Sequence, residues 1–361
     1  MAHQRHHLEL EAGVILAIET SCDDTCAAVI TADGQILANV ISSQGIHDRF
    51  GGVVPEIASR QHLELIGAAV HDALAQAGTA LPELELIAVT RGPGLVAALL
   101  VGFSTAKALA AAHELPLAAV DHLHGHVAAG FLEPEPVAPP FLSLVASGGH
   151  TFLARVRDRG PGYEVLGQTL DDAAGEAFDK GARLLGLGYP GGAALERLAR
   201  DGDPEAFDFP TAARLRGLDF SFAGVKTALL YRVRDLGAAE AECRRADLAA
   251  SYQRAIVEAL AIRTARALAA TGLDRLAVGG GVAANGSLRE RLAQLGVAVH
   301  VPDRALCTDN AAMIASAARY VEALAYPRYL SLDVYATGER APAAAAVAGT
   351  AQVRGATLGP P

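Results

Sequence analysis

His122 and His126 stand four residues apart, just after the apolar run Leu117–Val120. On a helix that spacing puts both rings on one face about one turn apart, a common way to present two imidazoles to a metal ion. His124, between them, points to a different face. For an isolated pair, surface or capping histidines are the plainer reading. Density argues for more: Asp121, His122, His124 and His126 cluster at the end of a buried strand, and the C-terminal ends of strands are where α/β sheets place their sites. A two-histidine site needs at least one further ligand, usually a carboxylate. Asp309, in Cys307-Thr308-Asp309-Asn310 at the start of the last predicted helix, is the best candidate. An N-cap is its competing reading.

Other segments carry weaker signals. Ser147-Gly148-Gly149-His150-Thr151 is a small-residue loop that would let a ligand approach backbone N–H groups, or a plain hairpin turn. Gly279-Gly280-Gly281 ends a strand and feeds a helix, which suits the base or ribose of a nucleotide with Asn285 as polar reader. It has neither the dinucleotide G-x-G-x-x-G spacing nor the Lys-Ser/Thr of a P-loop, so both are excluded. In Asp171–Lys180, Asp172 could cap a helix, Glu176 and Asp179 share a face, and Glu176 with Lys180 makes an i,i+4 pair. Tyr189-Pro190-Gly191-Gly192 is a turn by composition. Glu19-Thr20-Ser21-Cys22-Asp23-Asp24-Thr25 puts three acids in a loop between strands, either facing Mg2+ and phosphate-linked chemistry or simply solvated.

These residues need a scaffold, and the apolar pattern supplies one. Strands are expected at Val14–Ile18, Cys26–Ile30 and Ile36–Ile41, a helix from Pro55 to about Gly78, a strand at Leu86–Thr90, a helix at Leu95–Leu115 and a strand at Leu117–Val120. After a Pro-rich break at Glu133–Pro140 the pattern restarts with strands Phe141–Ala146 and Thr151–Val156. Helices follow near Ala173–Leu187, Gly192–Asp201, Val225–Leu236 and Ala246–Gly272. Then come the strand Arg275–Val278, a helix at Ala284–Leu295, the strand Val297–Val301 and a helix at Asp309–Leu324. Both halves thus open with strand, polar or glycine-rich loop and return strand, then alternate strands with helices. That argues two related α/β domains gripping a ligand, plausibly a phosphate, between their loops.

Length and composition agree. A chain of 361 residues, 51% apolar and 19% charged, fits two core-forming domains of an ordinary globular protein. No apolar run reaches the roughly 20 residues of a membrane span, and the N-terminus lacks a secretory h-region. Four scattered cysteines exclude a disulfide framework or a Cys-rich zinc site and point to the reducing cytoplasm. The net charge of −10 is unlike a free-standing nucleic-acid binder, so any RNA contact would need a local Arg patch or a partner's surface.

Taken in order, ten blocks resemble the TsaD family of tRNA N6-adenosine threonylcarbamoyltransferases, formerly labelled O-sialoglycoprotein endopeptidases. They are ETSCDDT (Glu19–Thr25), GVVPEIASRQH (Gly52–His62), TRGPGLVAALLVGFSTAK (Thr90–Lys107), HLHGH (His122–His126), SGGHT (Ser147–Thr151), DDAAGEAFDK (Asp171–Lys180), YPGG (Tyr189–Gly192), FSFAGVK (Phe220–Lys226), GGGVAAN (Gly279–Asn285) and CTDN (Cys307–Asn310). The similarity covers roughly residues 14–335. It implies the fold of actin, hexokinase and acetate kinase, with two RNase H-like domains around a nucleotide cleft. Domain I would be residues 14–132 plus 309–336 and domain II residues 133–308, with a disordered lead (1–13) and tail (337–361). It further implies one Fe2+ or Zn2+ on His122, His126 and Asp309, with Mg2+ a possible companion of an adenylate-type substrate. Val145, Ala146, Ser147, Gly148 and Gly149 would lie against the adenylate and metal. Asp179, Gly192, Glu196 and Asn285 would hold ribose and base, and Asp23 and Asp24 would line the catalytic cleft. The implied reaction moves threonylcarbamoyl from threonylcarbamoyl-adenylate to N6 of adenosine 37 in tRNAs reading codons that begin with A. Expected partners are tRNA, a shorter homologue (TsaB) and an ATPase (TsaE), or a second copy in a homodimer. Asp24 stands where many members have Glu, and Tyr329 where Trp is frequent.

Three rival readings fit the sequence less well. A zincin-type protease places Glu beside the first histidine as general base, and here that residue is Leu123. A kinase or ATPase is permitted by the fold, yet phosphoryl transfer needs no two-histidine site. A non-catalytic scaffold would have no use for the ligand set.

Overall fold

In a computed structural model of the chain, which describes residues 13–132, 134–160 and 162–339, eleven strands form two sheets. The first half runs β1 (Val14–Glu19), β2 (Asp24–Thr31), β3 (Ile36–Ser43), α1 (Pro55–Ala77), β4 (Leu86–Gly92), α2 (Val96–Ala112), β5 (Leu117–Asp121) and α3 (His122–Ala128). The second runs β6 (Phe141–Ala146), β7 (Thr151–Val156), β8 (Glu164–Gln168), α4 (Ala174–Leu184), α5 (Gly191–Ala199), α6 (Ala223–Cys243), α7 (Arg245–Thr271), β9 (Arg275–Gly279), α8 (Gly286–Ala293) and β10 (Ala298–His300). A short α9 (Arg304–Cys307), then α10 (Ala311–Ala318) and β11 (Ala323–Leu324), return to the first half. The lead assigned to residues 1–13 lies outside the described residues apart from Gly13, and the tail assigned to 337–361 lies outside them from residue 340.

Strand order is β11-β5-β4-β1-β2-β3 in one sheet and β10-β9-β6-β7-β8 in the other. Without β11, the two orders are the same. Each sheet begins with an antiparallel pair (β1–β2, β6–β7) and adds parallel strands on the far side (β4, β5; β9, β10). The central strands are mostly apolar because both their faces are covered. Period-two alternation divides them: Leu16 and Ile18 face the core under α1 and α2, while Ile15 and Ala17 face the layer that joins the sheets. In β6, Leu142 and Leu144 face α4 to α8, and Phe141 and Val145 belong to the same buried layer as Ile15 and Ala17. α10 sits in that layer with all eight residues buried, as its lack of a polar stripe requires.

Several elements depart from the sequence reading. The helix expected over Asp309–Leu324 ends at Ala318, and Ala323–Leu324 pairs instead with the edge of β5. β8, α9 and β11 were not foreseen. α6 extends past Leu236 through a break at Gly237, whose φ of 74° interrupts the helix. The helix expected at Ala284–Leu295 is α8, preceded by a 3-10 turn at Gly281–Ala284.

Candidate metal centre and cleft

α3 starts where β5 ends. Asp121 caps it, accepting from His124 N at 3.0 Å, and also accepts from the Tyr335 hydroxyl at 2.5 Å. Fixing the first turn aims His122 and His126 from one helix face, with ring centroids 4.8 Å apart and planes 78° apart. Both are buried, as is His124, which turns instead toward Tyr163.

Asp309 arrives from the other end of the chain. The cap of α10 is Asn310, which accepts from Met313 N at 3.0 Å, so the Asp309 carboxylate is left for the cluster. Its Oδ1 lies 3.5 Å from His122 Nε2 and 3.4 Å from His126 Nε2. The three ligand atoms fall within 4.8 Å of one another. His126 Nε2 is buried and makes no hydrogen bond to any described residue; its approach to Asp309 has ion-pair distance without hydrogen-bond geometry. An orphaned imidazole nitrogen facing a carboxylate and a second imidazole is the donor chemistry of a divalent transition metal, so these residues fit such an ion.

The electrostatics agree. Burial opposes charge on His122, but Asp309 and then Glu19 outweigh it and lift its pKa to about 9. Burial would raise Asp309, yet His122 and His126 hold it far below the usual carboxylate range. The pocket is organised around positive charge, carried by a proton on His122 when no ion is bound. His150 lies within electrostatic reach of all three; burial first, and then the two histidines, push it down to about 4, so it is neutral. The sequence reading gave His150 no role, although its place in SGGHT beside three site residues was a signal.

The acidic segment is not one loop. Glu19 closes β1 fully buried, and Asp24 opens β2. His62 of α1 fastens the turn between them, meeting Thr25 Oγ1 at 2.8 Å and Cys22 O at 3.0 Å. Burial, opposed by a Ser43 hydrogen bond but joined by repulsion from Asp309, Asp23 and Glu19, pushes Asp24 up to about 7. Asp23 faces the other half: it helps raise the pKa of Tyr189 and of Asp179, in each case behind burial.

Glycines let the loops converge. A Cβ on Gly279 would lie 2.9 Å from His126 O, and one on Gly280, at φ 87°, 2.4 Å from Ala146 O. A Cβ on Gly175 would lie 2.7 Å from Ser147 O. Val145 and Ala146 are buried on β6, and Ser147 closes the turn by accepting His150 N at 3.1 Å. Gly148 and Gly149 are exposed, with nothing within 4 Å of where a Cβ would stand. Asp179 Oδ1 accepts from Gly191 N at 2.8 Å and Gly192 N at 3.2 Å, fastening α4 to the start of α5. Asp172 does not cap α4; it binds Lys180 at 2.8 Å and Lys226 at 3.3 Å, while Lys180 makes the expected pair with Glu176 at 2.8 Å. Asn285 caps α8 through Leu288 N and donates to Gln253 Oε1 at 2.8 Å. Glu196 accepts from Gly286 N at 3.0 Å. Glu196, Gln253, Ser287 and Arg304 are among the residues lining an open cavity of about 450 Å³.

A sequence profile described as TsaD, tRNA N6-adenosine threonylcarbamoyltransferase, matches residues 35–316. The chain belongs to the TsaD family. It is therefore an acyltransferase that modifies tRNA. A TsaD relative from Clostridium botulinum (strain 657 / Type Ba4) is 50% identical over 330 residues, 89% of this chain and 96% of its own length. Another from Syntrophotalea carbinolica is 53% identical over 308 residues, 83% of this chain and 89% of its own. Both are named tRNA N6-adenosine threonylcarbamoyltransferase. Among solved structures, T. kodakarensis HypF matches with TM-score 0.57 at 14% identity, over 85% of this chain and 47% of that one. Component A of the Acidaminococcus fermentans (R)-2-hydroxyglutaryl-CoA dehydratase matches with TM-score 0.51 at 14% identity, over 88% and 99%. At that identity these show the fold alone, the expected pair of RNase H-like α/β domains. No helix among the described residues is long and apolar enough to cross a membrane.

Proposed function

We propose that the chain transfers threonylcarbamoyl from threonylcarbamoyl-adenylate to N6 of adenosine 37 in tRNAs reading codons that begin with A, and releases AMP. The supporting observation is the convergence of His122, His126 and Asp309, with Asp24 within electrostatic reach of Asp309. His122, His126 and Asp309 would hold one Fe2+ or Zn2+, which when bound supplies Lewis-acid polarisation of donor oxygens.

The rest falls to the protein. N6 bonds to the carbamoyl carbon, the bond from that carbon to the adenylate oxygen breaks, and AMP leaves with the electron pair. The N6 proton goes to Asp24, whose pKa of about 7 suits a base working near neutrality. Asp23 would face the substrate from the same turn. Because the exocyclic amine is a poor nucleophile, positioning carries much of the barrier reduction. The loop Val145–Gly149 would seat the phosphate, and Asp179, Gly192, Glu196 and Asn285 the nucleoside. The two halves, residues 14–132 with 309–336 and residues 133–308, would act as opposing jaws.

With a net charge of −10, tRNA binding would be shared with a TsaB-like homologue and a TsaE-like ATPase, or with a second copy, in the cytoplasm. The test is transfer of labelled threonine from synthetic threonylcarbamoyl-adenylate to unmodified tRNA, with those partners present. Wild type should label adenosine, and the His122→Ala/His126→Ala variant should lose at least about 1,000-fold. Full activity in the variant would refute the metal assignment, and silence of wild type with all partners would refute the reaction.

A further inference from the structure

Glu19 lies under the candidate metal centre rather than in it. Its side chain is fully buried and accepts three hydrogen bonds. Oε1 takes the backbone N–H of Ser21. Oε2 takes the Thr90 hydroxyl at 2.5 Å and His122 Nδ1 at 2.9 Å. An ionised carboxylate has only acceptors, so it demands a proton on Nδ1. With Nδ1 protonated, the lone pair of the ligand form must sit on Nε2, the atom that faces Asp309 at 3.5 Å. Ring direction is fixed by the same bond, since Glu19 is anchored to β1 and, through Thr90, to β4.

We infer that Glu19 is the positioning residue of the metal centre, setting the tautomer and orientation of His122 from behind. The inference rests on the metal reading above and extends it to a residue 103 positions away in sequence. It also explains why a carboxylate is buried at the end of an otherwise apolar strand, a placement that costs free energy unless its oxygens are paired.

Glu19→Gln gives a directional test. Ser21 N–H can only donate, whereas the Thr90 hydroxyl can turn to accept, so the Gln carbonyl oxygen takes the Oε1 place and the amide NH2 takes the Oε2 place. There it donates to Nδ1, moves the ring proton to Nε2, and removes the lone pair that would bind metal. Intact protein would be titrated with Co2+, read by visible absorption, with Zn2+ competition for affinity. Melting in excess chelator would report the fold. Wild type should bind and His126→Ala should not. Glu19→Gln should bind roughly 10- to 100-fold more weakly, with an altered Co2+ spectrum and a loss of affinity larger than any fall in its melting temperature in chelator accounts for. Glu19→Asp, which stays an acceptor but is shorter, should show a smaller loss and covers the case of a poorly folding Gln variant. Binding by both variants within about threefold of wild type would overturn the inference. So would a loss of affinity that merely tracks a lowered melting temperature. If wild type binds Co2+ no better than His126→Ala, the metal reading itself fails, and Glu19's role with it.

Discussion

Asp24→Asn should make the ion-free protein more stable at pH 8 and leave its stability at pH 4 unchanged. Asp24 has a folded pKa of about 7 against an ordinary 3.8. The raised value means the folded state keeps a proton that the unfolded state releases between those pH values. Stability conferred by the protonated form is therefore present below about pH 4 and is lost as pH rises through 7. Three decades of proton affinity correspond to about 4 kcal/mol at full burial. Since Asp24 is partly solvated, about half of that, or roughly 2 kcal/mol, is expected. Asparagine carries no charge to bury and can still accept from Ser43. Urea unfolding of chelated wild type and variant at pH 4, 6 and 8 should show curves that coincide at pH 4, separate through pH 6 and stay parallel above 7. The same substitution removes the proposed base and should lower transfer about 100- to 10,000-fold. A stability difference independent of pH, or a variant less stable at pH 8, would show that Asp24 is not held neutral by its surroundings.

Asp309→Asn should abolish metal binding and, in the ion-free protein, bring the His122 pKa down from about 9, because Asp309 is the largest influence raising it; an NMR titration showing no fall would contradict this. Gly280→Ala should cost about 2–4 kcal/mol in chemical unfolding, since its Cβ would meet Ala146 O at 2.4 Å on a backbone with φ 87°; a cost below about 0.5 kcal/mol would mean the loops give way freely. Tyr335→Phe removes the hydroxyl that bonds Asp121 and Gly92 O and should cost about 1–2 kcal/mol, measured in the same way.

Elements with strong period-two or helical patterns could be read from the sequence: α1 begins at Pro55 and ends within a residue of its predicted limit, and the doubled strand pairs are both present. What escaped depended on partners distant in the chain. β8 is a half-exposed edge strand with little alternation, and β11 is two residues held by β5. Arg319-Tyr320-Val321-Glu322 has no local stop signal, so the sequence pattern runs the last helix past its end at Ala318. In the site, His122 and His126 were legible because their spacing is local. Asp309 and Asn310 are adjacent and both good caps, and only the fold shows which one caps. Asp172 resembles a cap from its neighbours, but it pairs instead with Lys180, eight residues on, and with Lys226, 54 residues away. Glu19 reads from the sequence as one of three loop acids, facing Mg2+ and phosphate-linked chemistry or solvated, because nothing near it in sequence reveals His122.

The placement of α10 bears on how the protein is made. This helix, all of it buried, lies against β1, β2 and α3, yet it is among the last described segments to leave the ribosome. A nascent chain therefore carries an unfilled apolar trough in its first half until residue 311 emerges. At ordinary rates of synthesis that interval, counted from α3, is on the order of ten to forty seconds. Until then Asp309 has not arrived either, so the three residues of the proposed metal centre cannot come together in an unfinished chain. Completion of the core and competence for chemistry become one event, and a truncated product would present a sticky face to chaperones and proteases instead of a half-working enzyme.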